Sequence, residues 1–428
     1  MAPRSWYKDH GIQLFTNERV TDIHRTSKTI TTLSEKTLAY DYLVLATGST
    51  PFVPSINGVD KEGVFVYRTI EDLEETLAYA EKIKKTVKSP KAAILGGGLL
   101  GLEAAKAVMD MGMEPHVVEF ASKLMPRQLD TRSSKVLQVK LESMGINIHL
   151  SKATNQILGN GQITMEFGED DLLEVDMLVI SAGIRPRDEL GKSCGLTMGT
   201  RGGIVVDNKM KTSDPNIFAI GEIALYNQMI YGLVAPGYEM AGVAVDQILG
   251  NTTTQMAAEI DMSTKLKLIG VDVASFGEPF MPPEKGHSII FENKTESLYK
   301  RINVTHDGKR LLGGILVGDA KDYNMLLQMY LNEMPLPKNP ENLILGSRGG
   351  EDVSFGSAMD LPDTAVVCSC EAVTKGQICC SVKEDGNETL KAISKATKAT
   401  TGCGGCKPMV DDLVKETLKS LGKVVKET

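Results

Sequence analysis

Apolar and polar positions alternate along the first 262 residues in a pattern typical of an α/β architecture. Short runs of β-branched and apolar residues, which predict buried strands, are followed by longer segments with helical spacing. Strands that alternate with helices and end in glycine turns predict a doubly wound α/β fold with parallel strands. The predicted strands are 12–15, 29–33, 42–46, 92–95, 115–119, 146–150 and 176–181, the predicted helices are 99–111, 131–144 and 239–249, and a hairpin is predicted over 156–165.

From about residue 263 the pattern changes to that of a separate α+β domain, with strand-like runs first and a helix after them. Prolines between 335 and 340, and the glycine-rich stretch 346–356, then predict a linker. The remaining segment is predicted to be small and helical, and it carries most of the cysteines. The predicted strands of the α+β domain are 266–273, 288–291, 297–304 and 311–317, and its predicted helix is 322–331.

Length and charge narrow the classes of function. The chain has 428 residues, which suggests about three domains, and its net charge of −8 offers no basic surface for nucleic acid. The N-terminal residues lack the apolar stretch of a secretory signal, and the longest weakly charged stretch, 92–113, is interrupted by Glu103, Lys106 and Asp110. We therefore expect a cytoplasmic location and neither nucleic acid nor membrane as a partner.

The strongest chemical motif is the glycine-rich stretch 96–101. It follows a predicted strand and opens a predicted helix, and Glu119 ends the next strand, which together form a dinucleotide-binding fingerprint. Gly96 allows a tight turn, Gly98 lets the backbone approach a pyrophosphate, and Gly101 lets the helix pack on the strand. The alternative is a plain strand–helix turn. Glu119 would accept hydrogen bonds from the adenosine ribose and repel a 2′-phosphate, which favours NADH over NADPH.

Other glycine and polar residues lie at predicted strand ends, where α/β proteins hold cofactors. These are Thr47-Gly48, Gly183 and Gly221-Glu222. Each one alone is ordinary turn chemistry, and only the set indicates a cofactor site. Glu103 lies near the start of the predicted nucleotide-binding helix, where it is either an acid favoured by the helix dipole or a contact to the nicotinamide end.

Two close pairs of cysteines mark the C-terminal segment, Cys368 with Cys370 and Cys403 with Cys406. Four clustered thiols could bind zinc, bind a [2Fe–2S] cluster, or act as redox thiols. We favour the cluster, because a Cys-x-Cys pair is narrower than the usual zinc spacing. The glycines around Cys403 also free backbone N–H groups to donate to the sulfides of a cluster.

The other cysteines are expected to be structural. Cys379 and Cys380 are adjacent within a predicted helix, whose start is marked by Thr374 and Gln377 in a capping-box pattern. Neighbouring helical positions point in different directions, so we expect one thiol to be buried and the other partly exposed. Cys194 is expected to be a core or surface thiol.

Longer motifs resemble known families. The stretches 46–48 (Ala-Thr-Gly), 96–104 (Gly-Gly-Gly-Leu-Leu-Gly-Leu-Glu-Ala) and 182–186 (Ala-Gly-Ile-Arg-Pro) resemble flavoprotein reductases with two dinucleotide-binding folds. Nearly the whole chain resembles the large subunit of assimilatory NAD(P)H-dependent nitrite reductases, and its C-terminal segment resembles the [2Fe–2S] domain of bacterioferritin-associated ferredoxins. The stretches that carry the more specific resemblance are 124–130, 224–240, 263–267 and 311–319, together with the cysteine pairs.

The resemblance implies a path for electrons. NADH, or NADPH, reduces FAD, the flavin passes single electrons to a [2Fe–2S] cluster, and the cluster feeds a sirohaem and [4Fe–4S] nitrite-reducing domain or another acceptor. The cofactors carry this chemistry, so no catalytic side chain is expected. The implied contacts are Gly96, Gly98, Gly101, Glu103, Glu119 and Gly183 for NADH, Thr47, Gly48, Gly221 and Glu222 for FAD, and Cys368, Cys370, Cys403 and Cys406 for iron.

The sequence pattern and the resemblance together indicate limits for the domains, and they leave open whether the chain forms a homo-oligomer. The predicted limits are 1–75 for a partial FAD-binding domain, 76–195 for an NAD-binding Rossmann-like domain, 196–262 for the second part of the FAD-binding domain, 263–346 for the α+β domain, 347–363 for a linker, and 364–428 for a small helical [2Fe–2S] domain.

Two family features lie outside the sequence of 428 residues. They are the N-terminal FAD fingerprint and the cysteine-bearing sirohaem domain, so we expect an incomplete FAD part and an incomplete nitrite reductase. Three hypotheses stay open. The chain is a fragment of a nitrite reductase or works with separately encoded parts, it is a free-standing NADH-dependent reductase of a ferredoxin- or rubredoxin-type acceptor, or it is a non-catalytic module that binds NAD and a cluster.

Overall fold

The computed structural model describes residues 3–159, 161–268, 270–345, 358–368, 371–402 and 404–423. The chain divides into two compact units, a first unit of 1–50 and 184–260 and a second unit of 51–183 and 261–428. The helices in these described ranges are α1 (Arg4–Asp9), α2 (Ile70–Lys84), α3 (Leu99–Asp110), α4 (Thr131–Ser143), α5 (Glu189–Ser193), α6 (Val234–Ile248), α7 (Tyr323–Leu331), α8 (Asn342–Leu345), α9 (Lys375–Lys383), α10 (Leu390–Thr397) and α11 (Lys407–Ser420).

Most of the described strands have two to five residues. None of the described helices is both long and apolar enough to cross a bilayer. The strands are β1 (Val20–His24), β2 (Thr29–Thr32), β3 (Thr37–Ala39), β4 (Leu43–Leu45), β5 (Ser49–Pro51), β6 (Val64–Val66), β7 (Lys91–Leu95), β8 (Glu114–Val118), β9 (Asn147–His149), β10 (Gln156–Leu158), β11 (Ile163–Gly168), β12 (Asp171–Val175), β13 (Met177–Ile180), β14 (Ile184–Pro186), β15 (Ile204–Val205), β16 (Ile217–Ala219), β17 (Ala224–Leu225), β18 (Thr264–Leu268), β19 (Val271–Gly277), β20 (Gly286–Asn293), β21 (Leu298–Thr305), β22 (Leu311–Val317), β23 (Val366–Cys368) and β24 (Val373–Thr374).

A parallel sheet in the order β6-β13-β7-β8-β9 organises the second unit. Its central strands β7 and β13 are buried along almost their whole length, as parallel strands are when both faces are covered. Helices α3 and α4 pack on one face through Leu102, Val108 and Leu137, and the antiparallel strands β10, β11 and β12 cover the other face. The carboxyl ends of β7, β8 and β13 therefore meet at one edge.

The α+β part of the second unit is an antiparallel sheet in the order β18-β19-β22-β21-β20. Alternate residues of a strand point to opposite faces, and the two faces of this sheet pack in different cores. Val273 and Val317 join the core that contains α3 and α4, whereas Ala274 and Leu316 join a core with α7. The sheet is therefore held between the nucleotide-type fold and α7.

In the first unit, β4 and β16 lie side by side as a parallel pair that registers Leu43 with Ile217 and Leu45 with Ala219. Phe218 of β16 packs with Met240 and the rest of the apolar face of α6. This pairing brings the carboxyl ends of β4 and β16 to the same edge, which places the following turns next to each other.

The C-terminal segment packs β23, β24, α9, α10 and α11 around its own core, which includes Ile378, Ile393 and Leu413. Thr374 and Gln377 form the predicted capping box at the start of α9. A second network holds this segment, because the buried Lys375 donates from Nζ to the carbonyls of Met359 and Leu361.

Two strands predicted from the sequence are wrong. Residues 12–15 form no strand, and Ile12 and Phe15 are exposed. A strand forms only where a neighbouring strand pairs with its backbone, and here the Ile12 N–H donates to the Tyr7 carbonyl at 2.8 Å instead. The run 266–273 is not one strand but the hairpin of β18 and β19, with Gly270 at φ +77° in the turn. In the predicted hairpin over 156–165, Asn160 lies outside the described residues. The domain limits stay a prediction.

Asp130 joins the nucleotide-type fold to the antiparallel sheet. Its Oδ1 accepts from the Ser133 N–H at 2.8 Å and caps α4, and its Oδ2 accepts from the Tyr299 hydroxyl at 2.8 Å and from Arg301 Nη1 at 3.1 Å. Partial burial raises the pKa of Asp130, but the hydrogen bonds from Ser133, Tyr299 and Arg301 outweigh it and hold the pKa below its usual value. The ionised carboxylate is therefore the form that stabilises this junction.

Replacing Asp130→Ala is expected to lower the free energy of unfolding by about 2–3 kcal/mol, because α4 loses its cap and Arg301 and Tyr299 lose an acceptor. Urea unfolding measures this. The matched control Asp110→Ala removes an exposed pair with Lys106 and is expected to change stability by less than about 1 kcal/mol.

The pH dependence of the Asp130→Ala effect gives a second check. Because the folded-state pKa is lowered, the contribution is complete above the unfolded-state pKa of about 3.9 and is lost as pH falls through the folded-state pKa. An effect of equal size at acid and neutral pH would contradict the role of the carboxylate.

Candidate functional site

The turn after β7 depends on two glycines that allow a close approach of backbone. Gly96 has φ +122°, and a Cβ there would lie 2.3 Å from the Ser181 carbonyl oxygen at the end of β13. A Cβ at Gly101 would lie 1.9 Å from the Gly96 carbonyl oxygen. A side chain at Gly96 would push the turn away from the end of β13, and one at Gly101 would push α3 away from the turn, so the tight-turn and close-packing roles predicted for these glycines agree with the backbone geometry.

The N-terminus of α3 opens onto unfilled space. Gly98 is its N-cap, no side chain in the described ranges caps it, and no described atom lies within 4 Å of a Cβ placed there. Gly183, which follows β13 and adopts φ +118°, likewise has no described atom within 4 Å of a Cβ placed there. Backbone N–H groups at a helix N-terminus attract phosphate, so these residues fit a dinucleotide whose pyrophosphate lies at α3.

Glu119 is fixed beside this turn. Its Oε2 accepts from the Gly97 N–H at 2.6 Å, and its Oε1 accepts from the Ala121 N–H at 2.7 Å. A carboxylate has about four acceptor positions, so the two described bonds leave it able to accept from ribose hydroxyls. The same hydrogen bonds couple the carboxylate to the glycine turn, which the sequence motif alone does not reveal.

Glu103 lies beyond the first turn of α3 and remains exposed. The dipole effect falls off after the first turn, so the dipole explanation for this acid is weak. Neighbouring atoms reduce the hydration of its carboxyl group and raise its pKa. Burial, and then the charge of Glu103, also raise the pKa of Tyr67, which places the two side chains near each other. Its contact with the nicotinamide end stays a prediction.

In the first unit, hydrogen bonds to the segment after β14 hold the turn that follows β4. The Thr47 hydroxyl donates to the Arg187 carbonyl at 2.7 Å, and the Arg187 N–H donates to the Gly48 carbonyl at 2.9 Å. Gly48 adopts φ +68°, and no described atom lies within 4 Å of a Cβ there. The turn therefore leaves open space beside the strand end, as a flavin site requires.

The turn after β16 places Glu222 at the same edge. Gly221 adopts φ +72° and begins a short 3₁₀ helix over Gly221–Ile223. The Ser49 hydroxyl donates to Glu222 Oε2 at 2.6 Å, and a Cβ at Gly232 would lie 3.3 Å from Glu222 Oε1. The pairing of β4 with β16 thus brings Thr47, Gly48 and Glu222 together, and it adds Ser49, a neighbour of the predicted motif that sequence reasoning missed.

Cys368 and Cys406 lie together in the C-terminal segment of the second unit. Cys368 ends β23, and Cys406 is the N-cap of α11. A hydrogen bond from Cys406, with others from the Thr400 and Glu371 N–H groups, lowers the pKa of the Cys368 thiol to about 6, although burial opposes this shift. A thiol that ionises near neutral pH, beside a second cysteine, is suited to bind metal.

Two residues near these cysteines adopt an unusual backbone conformation. Ala372 and Thr400 hold φ of +50° and +72°, a region that residues other than glycine seldom adopt. The turn at Thr400 directs its N–H to Cys368 Sγ. Donors of this kind stabilise a metal-bound thiolate, and hydrogen bonds to the sulfurs also tune the potential of an iron–sulfur cluster. The other two predicted ligands, Cys370 and Cys403, lie outside the described residues.

The remaining cysteines match the sequence prediction. Cys379 is buried and accepts from the Thr417 hydroxyl at 3.5 Å, whereas Cys380 is exposed. Cys194 is half-buried and packs against the core of the first unit.

Comparison with protein families identifies this arrangement. Residues 5–247 match the family described as pyridine nucleotide-disulphide oxidoreductase, which is more than half of the chain. The chain belongs to the pyridine nucleotide-disulphide oxidoreductase family. Residues 263–333 match the rubredoxin NAD⁺ reductase C-terminal domain, and residues 366–416 match the BFD-like [2Fe-2S] binding domain.

Individual relatives point in the same direction. The chain is 45% identical over 99% of its length to the nitrite reductase (NADH) large subunit of Escherichia coli strain K12, of which it covers 49%. It is 36% identical over 96% of its length to the assimilatory nitrate reductase electron transfer subunit of Bacillus subtilis strain 168, of which it covers 51%. It thus spans about half the length of these curated relatives.

Solved structures support the fold. A NAD-dependent persulfide reductase from A. fulgidus superposes with a TM-score of 0.69 and 25% identity, over 82% of this chain and 72% of that one. The family resemblance and fold class predicted from the sequence are therefore confirmed. The matching domains imply FAD, NAD(P)H and a [2Fe–2S] cluster as cofactors. The individual contact residues stay predictions.

Replacing Glu119→Gln is expected to weaken NADH binding on the order of tenfold and to reduce the preference for NADH over NADPH, because an acceptor and the repelling charge are lost. Fluorescence titration with both nucleotides measures this. Glu142→Gln in α4, whose carboxylate accepts only from Gln138 within the described contacts, is the matched control. An unchanged NADH/NADPH ratio would mean that Glu119 only holds the turn.

Replacing Cys368→Ser is expected to remove most of the bound iron and the visible absorption of the cluster, because a ligand with a lowered pKa is lost. The exposed Cys380→Ser is the matched control and should leave iron content unchanged. Iron analysis of both purified variants distinguishes the two assignments. If Cys368 were only a structural thiol, the two variants would contain equal amounts of iron.

Proposed function

We propose that this chain takes electrons from NADH and passes them through FAD to a [2Fe–2S] cluster, as the reductase half of a nitrite-reducing system. The observation that carries the proposal is that one chain combines the open cradle at Gly98, fixed beside Glu119, with the paired cysteines Cys368 and Cys406. A dinucleotide fold alone fits many dehydrogenases, and a cysteine pair alone fits a ferredoxin. Their combination fits a reductase that splits electron pairs.

Each set of residues has a defined task in this proposal. Gly98 and Gly183 leave room for the nucleotide, and Glu119 selects its adenosine ribose. Thr47 and Gly48 leave room for the flavin, and Ser49 orients Glu222 toward the same site. FAD, when bound, accepts a hydride from the nicotinamide and releases single electrons, so the protein only has to position the cofactors. No side chain is required to act as acid or base.

The acceptor is proposed from the relatives. The nitrite reductase large subunit of Escherichia coli is about twice as long as this chain, which covers 49% of it. We propose that the remaining half of such an enzyme, a sirohaem and [4Fe–4S] domain, receives electrons from the cluster and reduces nitrite to ammonia in the cytoplasm. The Bacillus subtilis relative named as an electron transfer subunit supports a second candidate, in which the acceptor is a separate polypeptide.

The experiment is an anaerobic titration of the purified chain with NADH, followed by visible absorption, with iron and flavin quantified. Loss of the flavin band followed by bleaching of the cluster, at two irons per chain, is the expected result. Reduction of nitrite is expected only after the sirohaem domain is added. NADH binding without any bleaching would leave a non-catalytic binding module, and rapid reduction of rubredoxin with none of the sirohaem domain would favour a free-standing reductase.

A further inference from the structure

Helix α7 of the antiparallel-sheet domain contacts both cysteine-bearing segments of the C-terminal module. Asn324 Nδ2 donates to the Gly405 carbonyl at 2.8 Å, and Gln328 Nε2 donates to the Val366 carbonyl at 2.8 Å. Gly405 directly precedes Cys406, and Val366 begins the strand that ends at Cys368. Two side chains of one helix therefore reach the backbone directly before Cys406 and two residues before Cys368.

The two amides are built into α7 in a way that suits this contact. Residues four apart lie on one face of a helix, so Asn324 and Gln328 form a short polar row on an otherwise apolar helix. Gln328 is buried, and its Oε1 accepts from Asn332 Nδ2 at 3.0 Å. This bond fixes which end of the Gln328 amide faces Val366, so the donor is held ready for the carbonyl.

An apolar contact supports the same arrangement. Met334, just after α7, packs both against the core of the antiparallel-sheet domain and against the core of the C-terminal module. The Gly405 carbonyl also belongs to the peptide whose N–H is that of Cys406. In a trans peptide these two groups point in opposite directions, so a bond from Asn324 fixes the direction of the Cys406 N–H.

We propose that α7 is the docking helix that aligns the iron–sulfur module with the reductase, and that Asn324 and Gln328 are positioning residues for delivery of electrons to the cluster. This inference rests on the proposed function, since it requires a cluster at these cysteines. Two net hydrogen bonds favour the docked arrangement by a factor on the order of 10 to 100, so their loss should be measurable in rates.

The test uses the full chain with its cofactors and the double variant Asn324→Leu/Gln328→Met. Leu keeps the branched shape of Asn, Met keeps the approximate length of Gln, and both suit a helix, but neither can donate to a carbonyl. The matched control is Gln138→Met, which removes an exposed amide that bonds Glu142 within α4. The two single variants are measured as well, so that a folding defect in the double variant does not decide the result.

Two readouts are combined. Stopped-flow absorption after mixing with NADH separates the rate of flavin reduction from the rate of cluster reduction. Hydrogen exchange of residues 323–331 and 361–368 reports docking directly, and it does not depend on electron flow. The expected result is unchanged flavin reduction and iron content, cluster reduction slowed on the order of tenfold, and faster exchange in both segments, with the control like the wild type.

Unchanged exchange in the double variant would overturn the docking role, and faster exchange with unchanged cluster reduction would overturn the alignment role. Equal slowing of flavin reduction and cluster reduction would also contradict the proposal, because the substitutions would then act on a step before electron transfer to the cluster. Failure of the proposed function has a different signature. In that case the wild-type chain itself binds iron but shows no cluster reduction by NADH, whatever the exchange shows.

Discussion

The close contact between α3 and the end of β7 is the constraint on which the nucleotide site depends. It exists because Gly96 and Gly101 have no side chains, and a Cβ at Gly101 would lie 1.9 Å from the Gly96 carbonyl oxygen. That contact brings the N-terminus of α3 to the carboxyl edge of the parallel sheet. Glu119 then bonds the Gly97 N–H from the neighbouring strand end, so the acid and the open cradle are positioned by the same turn.

The same principle, in which the end of a secondary-structure element positions the candidate cofactor contacts, recurs at the other two candidate sites. In the first unit, the parallel pair β4 and β16 brings Gly48 and Glu222 to one edge. In the C-terminal module, β23 and α11 bring Cys368 and Cys406 together, and the N–H of Thr400 helps to keep the pKa of the Cys368 thiol near 6. Side chains such as Ser49 orient these groups, but strand ends and helix starts place them.

The sequence allowed prediction wherever the local backbone geometry requires a particular residue type. Gly96 and Gly101 could be assigned their backbone roles because a positive φ and a close approach of backbone each need glycine, whereas the role of Gly98 toward a pyrophosphate stays a prediction. The capping box of Thr374 and Gln377 could be predicted for the same reason. By contrast, 12–15 was predicted as a strand from its apolar residues, although a strand also needs a partner that the local sequence does not contain.

The interactions that escaped prediction join residues far apart in the chain. Ser49 and Glu222 are 173 positions apart, Asn324 and Gly405 are 81 apart, and Tyr299 and Asp130 are 169 apart. No periodicity or short motif encodes such a pair, because it depends on how domains pack. Asn324 and Gln328 did leave a signal, as two amides at helical spacing in an apolar helix. Their partners became evident only from the structure.

In the proposed function, electrons from NADH reach an iron–sulfur cluster held by Cys368 and Cys406. The most direct measurement is electron paramagnetic resonance of the anaerobic chain, frozen after one equivalent of NADH. We expect the signal of a reduced [2Fe–2S] cluster in the wild type and in Cys380→Ser, and its absence in Cys368→Ser. A wild-type chain that carries iron but gives no such signal with NADH, while dithionite produces it, would rule out electron transfer from NADH to this cluster.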